Sequence, residues 1–307
     1  MSLHKEISFE TEICQHLAAH GWLYGEGDAA GYDRARALFP ARRITTGLSW
    51  EDLILAPSTM AGVDEIRTWG QHGSSVQEEW GLGKHLKPGL QALFSGPPGT
   101  GKTLTACLLG QALGLDVYRI DLSQAVSKYI GETEKNLDRL MDQASKKNWL
   151  LLFDEADALI GKRSDIRDAH DRYANMQTSY LLRRIEDFPG IVILATNSNA
   201  DLDDAFLRRL RFVVEFPMPG HAERLRLWQR TFPEGVSFEK GVDFLEIARE
   251  HPLTGGQIVN VVRYCALMSI ERGDKVIRLE DILGGIRREF TKEGRGVAAV
   301  EATLPPS

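Results

Sequence analysis

The sequence is poor in cysteine, and it lacks both a long apolar run and an excess of positive charge. Its three cysteines, Cys14, Cys107 and Cys265, are far apart and form no C-x-x-C pair, which argues against a disulfide framework or a zinc ribbon. No apolar run approaches the ~18 residues of a membrane-spanning helix, and the N-terminus has no apolar signal-peptide stretch. These absences predict a cytoplasmic protein with no membrane partner.

The charge balance is acidic, with a formal net charge of −6 from 37 basic and 43 acidic side chains. A dedicated nucleic-acid binder normally carries a basic surface, so we expect nucleic acid not to be the main partner. The 307-residue chain has an ordinary globular composition and the length of one large domain or two coupled ones.

Short apolar runs alternate with segments of helical spacing between residues 90 and 220. Strands separated by helices predict an α/β domain with a parallel sheet covered on both faces. Five runs predict five strands, at 90–96, 115–123, 148–155, 191–197 and 211–217. The strand pattern stops near Gly220, and helical spacing follows. The predicted domains are a short helical N-terminal segment over 1–41, the five-stranded parallel core over 42–218, an all-helical subdomain over 219–290 and a flexible tail over 291–307.

Residues 96–103 fit the phosphate-binding pattern G-x-x-x-x-G-K-[ST] between a predicted strand and a predicted helix. Glycines let backbone N–H groups turn towards phosphates, and the helix N-terminus adds a positive dipole end. Lys102 would reach the β- and γ-phosphates, and Thr103 would ligate Mg²⁺. The pattern predicts ATP and Mg²⁺ as cofactors, with the nucleotide held by Gly96, Pro97, Pro98, Gly99, Thr100, Gly101, Lys102 and Thr103.

The apolar run at 150–153 ends in two carboxylates, Asp154 and Glu155. In a phosphate-binding fold this pattern predicts that Asp154 holds Mg²⁺ through water and that Glu155 polarises the attacking water. The string from Asp154 to Asp157 also spells the DEAD signature of a helicase family. That interpretation requires a second motor domain, and the sequence after residue 220 has no strand pattern to build one.

Together these motifs resemble the AAA+ ATPases over about residues 45–290, and most closely the AAA branch that includes katanin and spastin. By that resemblance, Asn197 ends the fourth core strand and helps to place the water. The segment 202–212 looks like the arginine-finger region, with Arg209 at the first finger position and Phe212 where many relatives carry a second arginine. Arg208 or Arg211 could substitute for the missing finger.

Two further segments carry family roles by resemblance. Residues 127–132 look like pore loop 1, in which an aromatic side chain grips an extended polypeptide inside a ring. That role would fall to Tyr129, followed by Ile130 and Gly131. Gly255 and Gly256 occupy the start of the sensor 2 helix, where backbone contacts would close over the nucleotide.

Two resemblances are narrower. The stretch 170–197 together with 206–217 looks most like a bacterial group of single-ring ATPases encoded with phage-tail-like contractile injection systems. Residues 8–40 resemble the extreme N-terminus of the type I restriction enzyme motor subunit, but the nuclease motif and the two-domain translocase of that family are absent from the sequence. We interpret residues 8–40 as a fusion remnant or an adaptor.

The resemblance implies Mg²⁺-dependent ATP hydrolysis by a homo-oligomeric ring, a hexamer as in this family. It also implies that the ring remodels or threads a protein substrate. Two alternatives stay open at the level of sequence. One is an ATP-gated scaffold or assembly factor that threads nothing, and the other is a nucleic-acid-associated motor linked to restriction.

Overall fold

The computed structural model describes residues 41–86, 89–122, 132–157, 179–197 and 204–294. The predicted N-terminal segment, the predicted pore loop with Tyr129, Ile130 and Gly131, and the end of the predicted tail lie outside these ranges. The chain divides into two compact units. The first holds the described residues within Met1–Gly47, Ala61–Ser95 and Lys102–Glu215, and the second holds those within Leu48–Met60, Gly96–Gly101 and Phe216–Ser307.

The first unit contains a sheet that has six strands among the described residues. They are β1 (Ala41–Ile44), β2 (Leu90–Ser95), β3 (Asp116–Asp121), β4 (Trp149–Asp154), β5 (Ile191–Thr196) and β6 (Phe212–Glu215). Their spatial order is β1-β3-β4-β5-β2-β6. All neighbours from β3 to β6 in this order pair in parallel, so the carboxyl ends of β2, β4 and β5 lie at one edge. The predicted α/β class and its five parallel strands are confirmed.

The sheet has one strand more than we predicted. Strand β1 pairs antiparallel with β3, with Ala41 opposite Ile120. Within β1 only Ala41 is buried, and Arg42 and Arg43 are exposed. Four residues are too few to show an alternating pattern, and charged side chains are common on edge strands because they discourage further pairing. The sequence pattern therefore gave no strand signal here.

The central strands are apolar because both of their faces are covered. All six residues of β2 and five of the six in β4 are buried. Helix α1 (Pro57–Glu78) precedes β2, and helix α2 (Lys102–Leu113) packs against β3, β4 and β5. The described part of this unit also contains the α-helical segments α3 (Glu132–Lys147), α4 (179–186) and α5 (Asp204–Leu207), and a short 3-10 helix at Leu82–Lys84.

The second unit is mostly helical, with α6 (His221–Thr231), α7 (Phe244–Glu250), α8 (Gly255–Arg272) and α9 (Leu279–Lys292). Our prediction of an all-helical subdomain was wrong in one respect, because β7 (Ser237–Phe238) and β8 (Val276–Ile277) pair in parallel. Two residues per strand are too few for any periodicity to be visible. Helix α8 begins with a capping box between Thr254 and Gln257, and such boxes fix a helix start.

The core of the second unit forms around Trp228, which is fully buried. The rings of Phe232 and Phe244 lie 6.3 and 6.0 Å from it, centroid to centroid. Aliphatic side chains of α8 and α9, including Ile258 and Ile286, complete the cluster. Within the described ranges of both units, no helix combines the length and the apolar character needed to cross a membrane.

Candidate functional site

The predicted phosphate-binding loop adopts a conformation that depends on glycine. Gly96, Gly99 and Gly101 have φ angles of +139°, +78° and +104°, a region that other residues rarely adopt. A Cβ on Gly96 would lie 2.1 Å from the carbonyl oxygen of Phe216. The Thr100 hydroxyl donates a hydrogen bond of 2.8 Å to the Pro97 carbonyl. Only glycine fits these positions of the turn without strain. The turn is therefore suited to bind an anion through backbone N–H groups.

Within the second unit, the same loop contacts the start of α8. The backbone N–H of Gly256 donates to the Gly99 carbonyl at 2.9 Å. A Cβ on Gly99 would lie 2.7 Å from the Thr254 hydroxyl, and a Cβ on Gly256 would lie 3.1 Å from the Gly99 Cα. The structure thus brings the predicted residues Gly99 and Gly256 together, and small residues on both sides permit this approach.

Lys102 is the first residue of α2 and has a relative exposure of only 7%. Its Nζ donates a hydrogen bond of 3.1 Å to Oδ1 of Asn197, just beyond β5. Burial lowers the pKa of Lys102, and the nearby carboxylates of Asp154 and Asp157 oppose that shift. Three predicted site residues, Lys102, Asp154 and Asn197, therefore lie close together in the first unit.

Asp154 is the last residue of β4, and both of its carboxylate oxygens have partners. Oδ1 accepts the backbone N–H of Glu155 at 3.0 Å, and Oδ2 lies 2.7 Å from Nη2 of Arg119 on β3. Glu155 is exposed and has a φ of +55°, a strained conformation for a residue with a side chain. Such strain is often found where function requires a particular backbone course.

The ends of β4 and β5 are also joined to each other. The Ala156 backbone N–H donates to the Ala195 carbonyl at 2.9 Å, and the Thr196 hydroxyl donates to Oδ1 of Asp157. We assigned no role to Thr196 or Asp157 from sequence. The two bonds hold the Asp154 and Asn197 ends of their strands in fixed register.

The three candidate finger arginines have different surroundings. Arg208 is exposed. Arg209 is largely exposed and forms an ion pair of 3.0 Å with the nearly buried Glu186. The guanidinium of Arg211 lies 4.1 Å from the ring centroid of Trp69 on α1, and burial lowers its pKa. Arg211 is therefore engaged in packing within its own unit.

The residues present fit Mg²⁺ as the companion of a nucleotide phosphate. Thr103, the second residue of α2, is partly buried and offers a hydroxyl oxygen, and Asp154 offers a carboxylate that is 16% exposed. Mg²⁺ prefers such hard oxygen ligands and is usually bound by one or two protein groups together with phosphates and water. The glycine turn at 96–101 is followed directly in the chain by Lys102 and Thr103.

Comparison with known proteins agrees with this geometry. Residues 92–219 match the ATPase family associated with various cellular activities, abbreviated AAA. The chain contains an AAA ATPase domain. The predicted family and the predicted enzyme class, an ATPase, are confirmed at this level. Membership of the katanin and spastin branch, or of the injection-system group, stays a prediction.

Several relatives align well beyond the AAA domain itself. The ATP-dependent zinc metalloprotease FtsH of Mycoplasmopsis synoviae is 27% identical over 302 residues, which cover 92% of this chain and 44% of that protein. The uncharacterized AAA family ATPase y4kL of Sinorhizobium fredii is 35% identical over 196 residues, 61% of this chain and 54% of that protein. The proteasome-activating nucleotidase of Aeropyrum pernix is 31% identical over 233 residues, 71% of this chain and 56% of that protein.

This chain spans about half the length of these relatives. FtsH is named as a zinc metalloprotease. Many such enzymes bind zinc through an H-E-x-x-H motif. The 307 residues contain no His-Glu pair and hence no H-E-x-x-H. We therefore transfer no protease residues from FtsH to this chain.

Proposed function

We propose that this protein hydrolyses ATP with Mg²⁺, that it assembles with copies of itself into a ring, and that hydrolysis drives the remodelling or threading of a protein substrate. One observation carries the proposal. Lys102 contacts Asn197 and lies close to Asp154 and Asp157, at the edge where the carboxyl ends of β2, β4 and β5 meet. Ligands of parallel α/β sheets bind at this edge.

The predicted site residues would have distinct tasks in phosphoryl transfer. The Lys102 ammonium would exchange its bond to Asn197 for phosphate oxygens, and Thr103 and Asp154 would hold Mg²⁺. When bound, Mg²⁺ neutralises charge on the β- and γ-phosphates. Glu155 would accept a hydrogen bond from the attacking water and orient it, with Asn197 as the second group near that water. The loop at 96–101 would bind phosphate oxygens through backbone N–H groups.

Arg209 or Arg208 would neutralise developing charge on the phosphate of a neighbouring subunit. Both side chains are exposed, which supports a role outside their own subunit. Arg211 packs on Trp69 and is a poor candidate for that role. Glu186, whose side chain is almost fully buried, forms an ion pair with Arg209. This pair would hold the Arg209 side chain in one orientation.

A protein substrate is the choice that the relatives favour. FtsH is named as an ATP-dependent protease and the archaeal relative as an activator of the proteasome, and both names concern proteins as substrates. We propose that Tyr129, with Ile130 and Gly131, grips the substrate, as in the pore loop that residues 127–132 resemble. The narrower prediction of an injection-system ATPase keeps the same catalytic scheme and differs only in the substrate.

The first experiment measures the Mg²⁺-dependent ATPase rate against protein concentration, with mass by light scattering on the same samples. We expect the specific rate to rise as the ring forms and to fall by about 10²-fold or more in Glu155→Gln, since a positioned general base contributes that much. Glu271→Gln, an exposed glutamate on α8, is the matched control. A rate that is independent of concentration would contradict catalysis across subunits, and an unchanged Glu155→Gln rate would contradict the role of Glu155.

Tyr129→Ala separates threading from a scaffold. A threading ATPase would keep its basal hydrolysis in this variant and would lose the unfolding of a tagged model substrate. A scaffold that threads nothing would be indifferent to the substitution in both assays, and that result would overturn the threading part of the proposal.

A further inference from the structure

The strongest feature that the proposed mechanism leaves unexplained is the arginine beside Asp154. Arg119 Nη2 lies 2.7 Å from Asp154 Oδ2, and the Arg119 side chain is 45% exposed while that of Asp154 is 16% exposed. The other carboxylate oxygen accepts the Glu155 backbone N–H. The carboxylate proposed to hold Mg²⁺ therefore already has a cation of its own.

The sheet fixes this pairing. Strands β3 and β4 are parallel neighbours, with Asp121 opposite Asp154 and Arg119 opposite Leu152. Residues two apart on a strand face the same side of a sheet, so Arg119 lies on the Asp154 side of β3. An arginine is charged at every physiological pH. The pairing of β3 with β4 therefore holds a cationic side chain beside Asp154.

We propose that Arg119 competes with Mg²⁺ for Asp154 and thereby sets how strongly the metal and the nucleotide stabilise each other's binding. The inference rests on the proposed function, because it takes Asp154 as a Mg²⁺-holding residue. Mg²⁺ and a guanidinium that share one carboxylate repel each other, and each weakens the attraction of the other for it. Lys102 lies near both Asp154 and Asp157, but these residues are unchanged in every variant considered and their effect cancels.

The size of the effect follows from the exposure of the pair. A half-exposed ion pair is worth about 1 kcal/mol, which corresponds to about fivefold in an equilibrium constant. Removal of the Arg119 charge should therefore strengthen Mg²⁺ binding by about this factor. If Arg119 instead served mainly to position the carboxylate, its removal would weaken Mg²⁺ binding, so the two roles predict opposite signs.

The test measures ADP affinity of the full chain by calorimetry, once with EDTA and once with saturating Mg²⁺. The dissociation constant measured with EDTA, divided by that measured with Mg²⁺, gives the coupling between metal and nucleotide. This ratio does not depend on catalysis. We compare wild type, Arg119→Gln and Arg119→Lys. The matched control is Arg43→Gln, since Arg43 pairs with Asp116 at 2.6 Å on the same sheet, away from the proposed site.

We expect the ratio to increase about fivefold in Arg119→Gln and to stay near the wild-type value in Arg119→Lys and Arg43→Gln. An unchanged or decreased ratio in Arg119→Gln would overturn the competition. An Arg119→Lys ratio as high as that of Arg119→Gln would also overturn it, because the charge is retained there. If the wild-type affinity is the same with EDTA and with Mg²⁺, the proposed Mg²⁺ site itself is wrong. Should Arg119→Gln fail to fold, Arg119→Lys and Arg119→Met supply the same comparison.

Discussion

The contact between the phosphate loop and α8 can be tested with two neighbouring glycines. A Cβ on Gly256 would lie 3.1 Å from the Gly99 Cα, whereas a Cβ on Gly255 would meet the Gly99 carbonyl oxygen at an ordinary 3.5 Å. The Gly99 Cα belongs to the backbone, so it can move away only if the loop itself moves. Gly256→Ala should therefore displace the loop and lengthen the 2.9 Å bond from the Gly256 N–H to the Gly99 carbonyl.

The expected loss is the net value of one such hydrogen bond, about 1 kcal/mol. If the displaced loop is the phosphate cradle, Gly256→Ala should weaken ADP binding about fivefold, and Gly255→Ala should bind as wild type does. Neither glycine has a positive φ, so both substitutions reduce the entropy of the unfolded chain, which by itself favours folding by about 0.4–1 kcal/mol. In Gly256→Ala the lengthened hydrogen bond opposes that gain. Urea unfolding separates that gain from the loss in binding.

Fluorescence titration with a labelled ADP measures the affinities, and the same variants enter the urea unfolding series. Equal ADP affinities for Gly256→Ala, Gly255→Ala and wild type would refute the reasoning, because a 3.1 Å approach to the loop backbone would then have no consequence for the ligand. A matching loss in both variants would also refute it, since the two predicted contacts differ.

Four further outcomes follow from burial. Lys102→Met should abolish ADP binding, measured by calorimetry, without lowering the free energy of unfolding, measured in urea. Burial lowers the pKa of Lys102 because it removes the ammonium from water, and an apolar side chain at this position avoids that desolvation cost. Burial raises the pKa of the Cys265 thiol to about 12, so alkylation of Cys265, followed by mass spectrometry, should require unfolding. The folded Cys265 thiol stays protonated while the unfolded thiol ionises above its ordinary pKa of about 8.5. The free energy of unfolding should therefore fall as pH rises above that value. Trp228→Ala should cost about 3–5 kcal/mol in urea unfolding, because the ring is fully buried beside Phe232 and Phe244.

The parts of the site that could be predicted are those that a few consecutive residues define. A strand, a glycine turn and a helix start are all visible in 90–103, and the sequence therefore predicts Lys102 at the start of α2. The apolar run before Asp154 predicts a buried strand that ends there, as observed. These local patterns work because the course of one strand and one turn decides where the functional group lies.

The parts that could not be predicted are partners from distant segments. Arg119 contacts Asp154 because β3 and β4 are neighbours in the sheet. The sequence of a single strand does not determine which strand will lie beside it. Glu186 and Trp69 meet their arginines for similar reasons. One signal was available for Arg119, since it is a charged residue between the apolar Tyr118 and Ile120 in a predicted strand. A charge at such a position is stabilised by an opposite charge on the adjoining strand.

Two contacts among the described residues of the first unit each engage a group that the proposed reaction needs. Lys102 is bonded to Asn197, and Arg119 is bonded to Asp154. Nucleotide and metal binding must then exchange existing contacts, so the affinity measures a difference between two sets of bonds. Removal of a cation can therefore raise or lower the affinity, depending on whether the cation attracts or repels the ligand. Without Lys102 the phosphates lose a donor and bind more weakly, whereas without Arg119 the metal loses a competitor and binds more tightly.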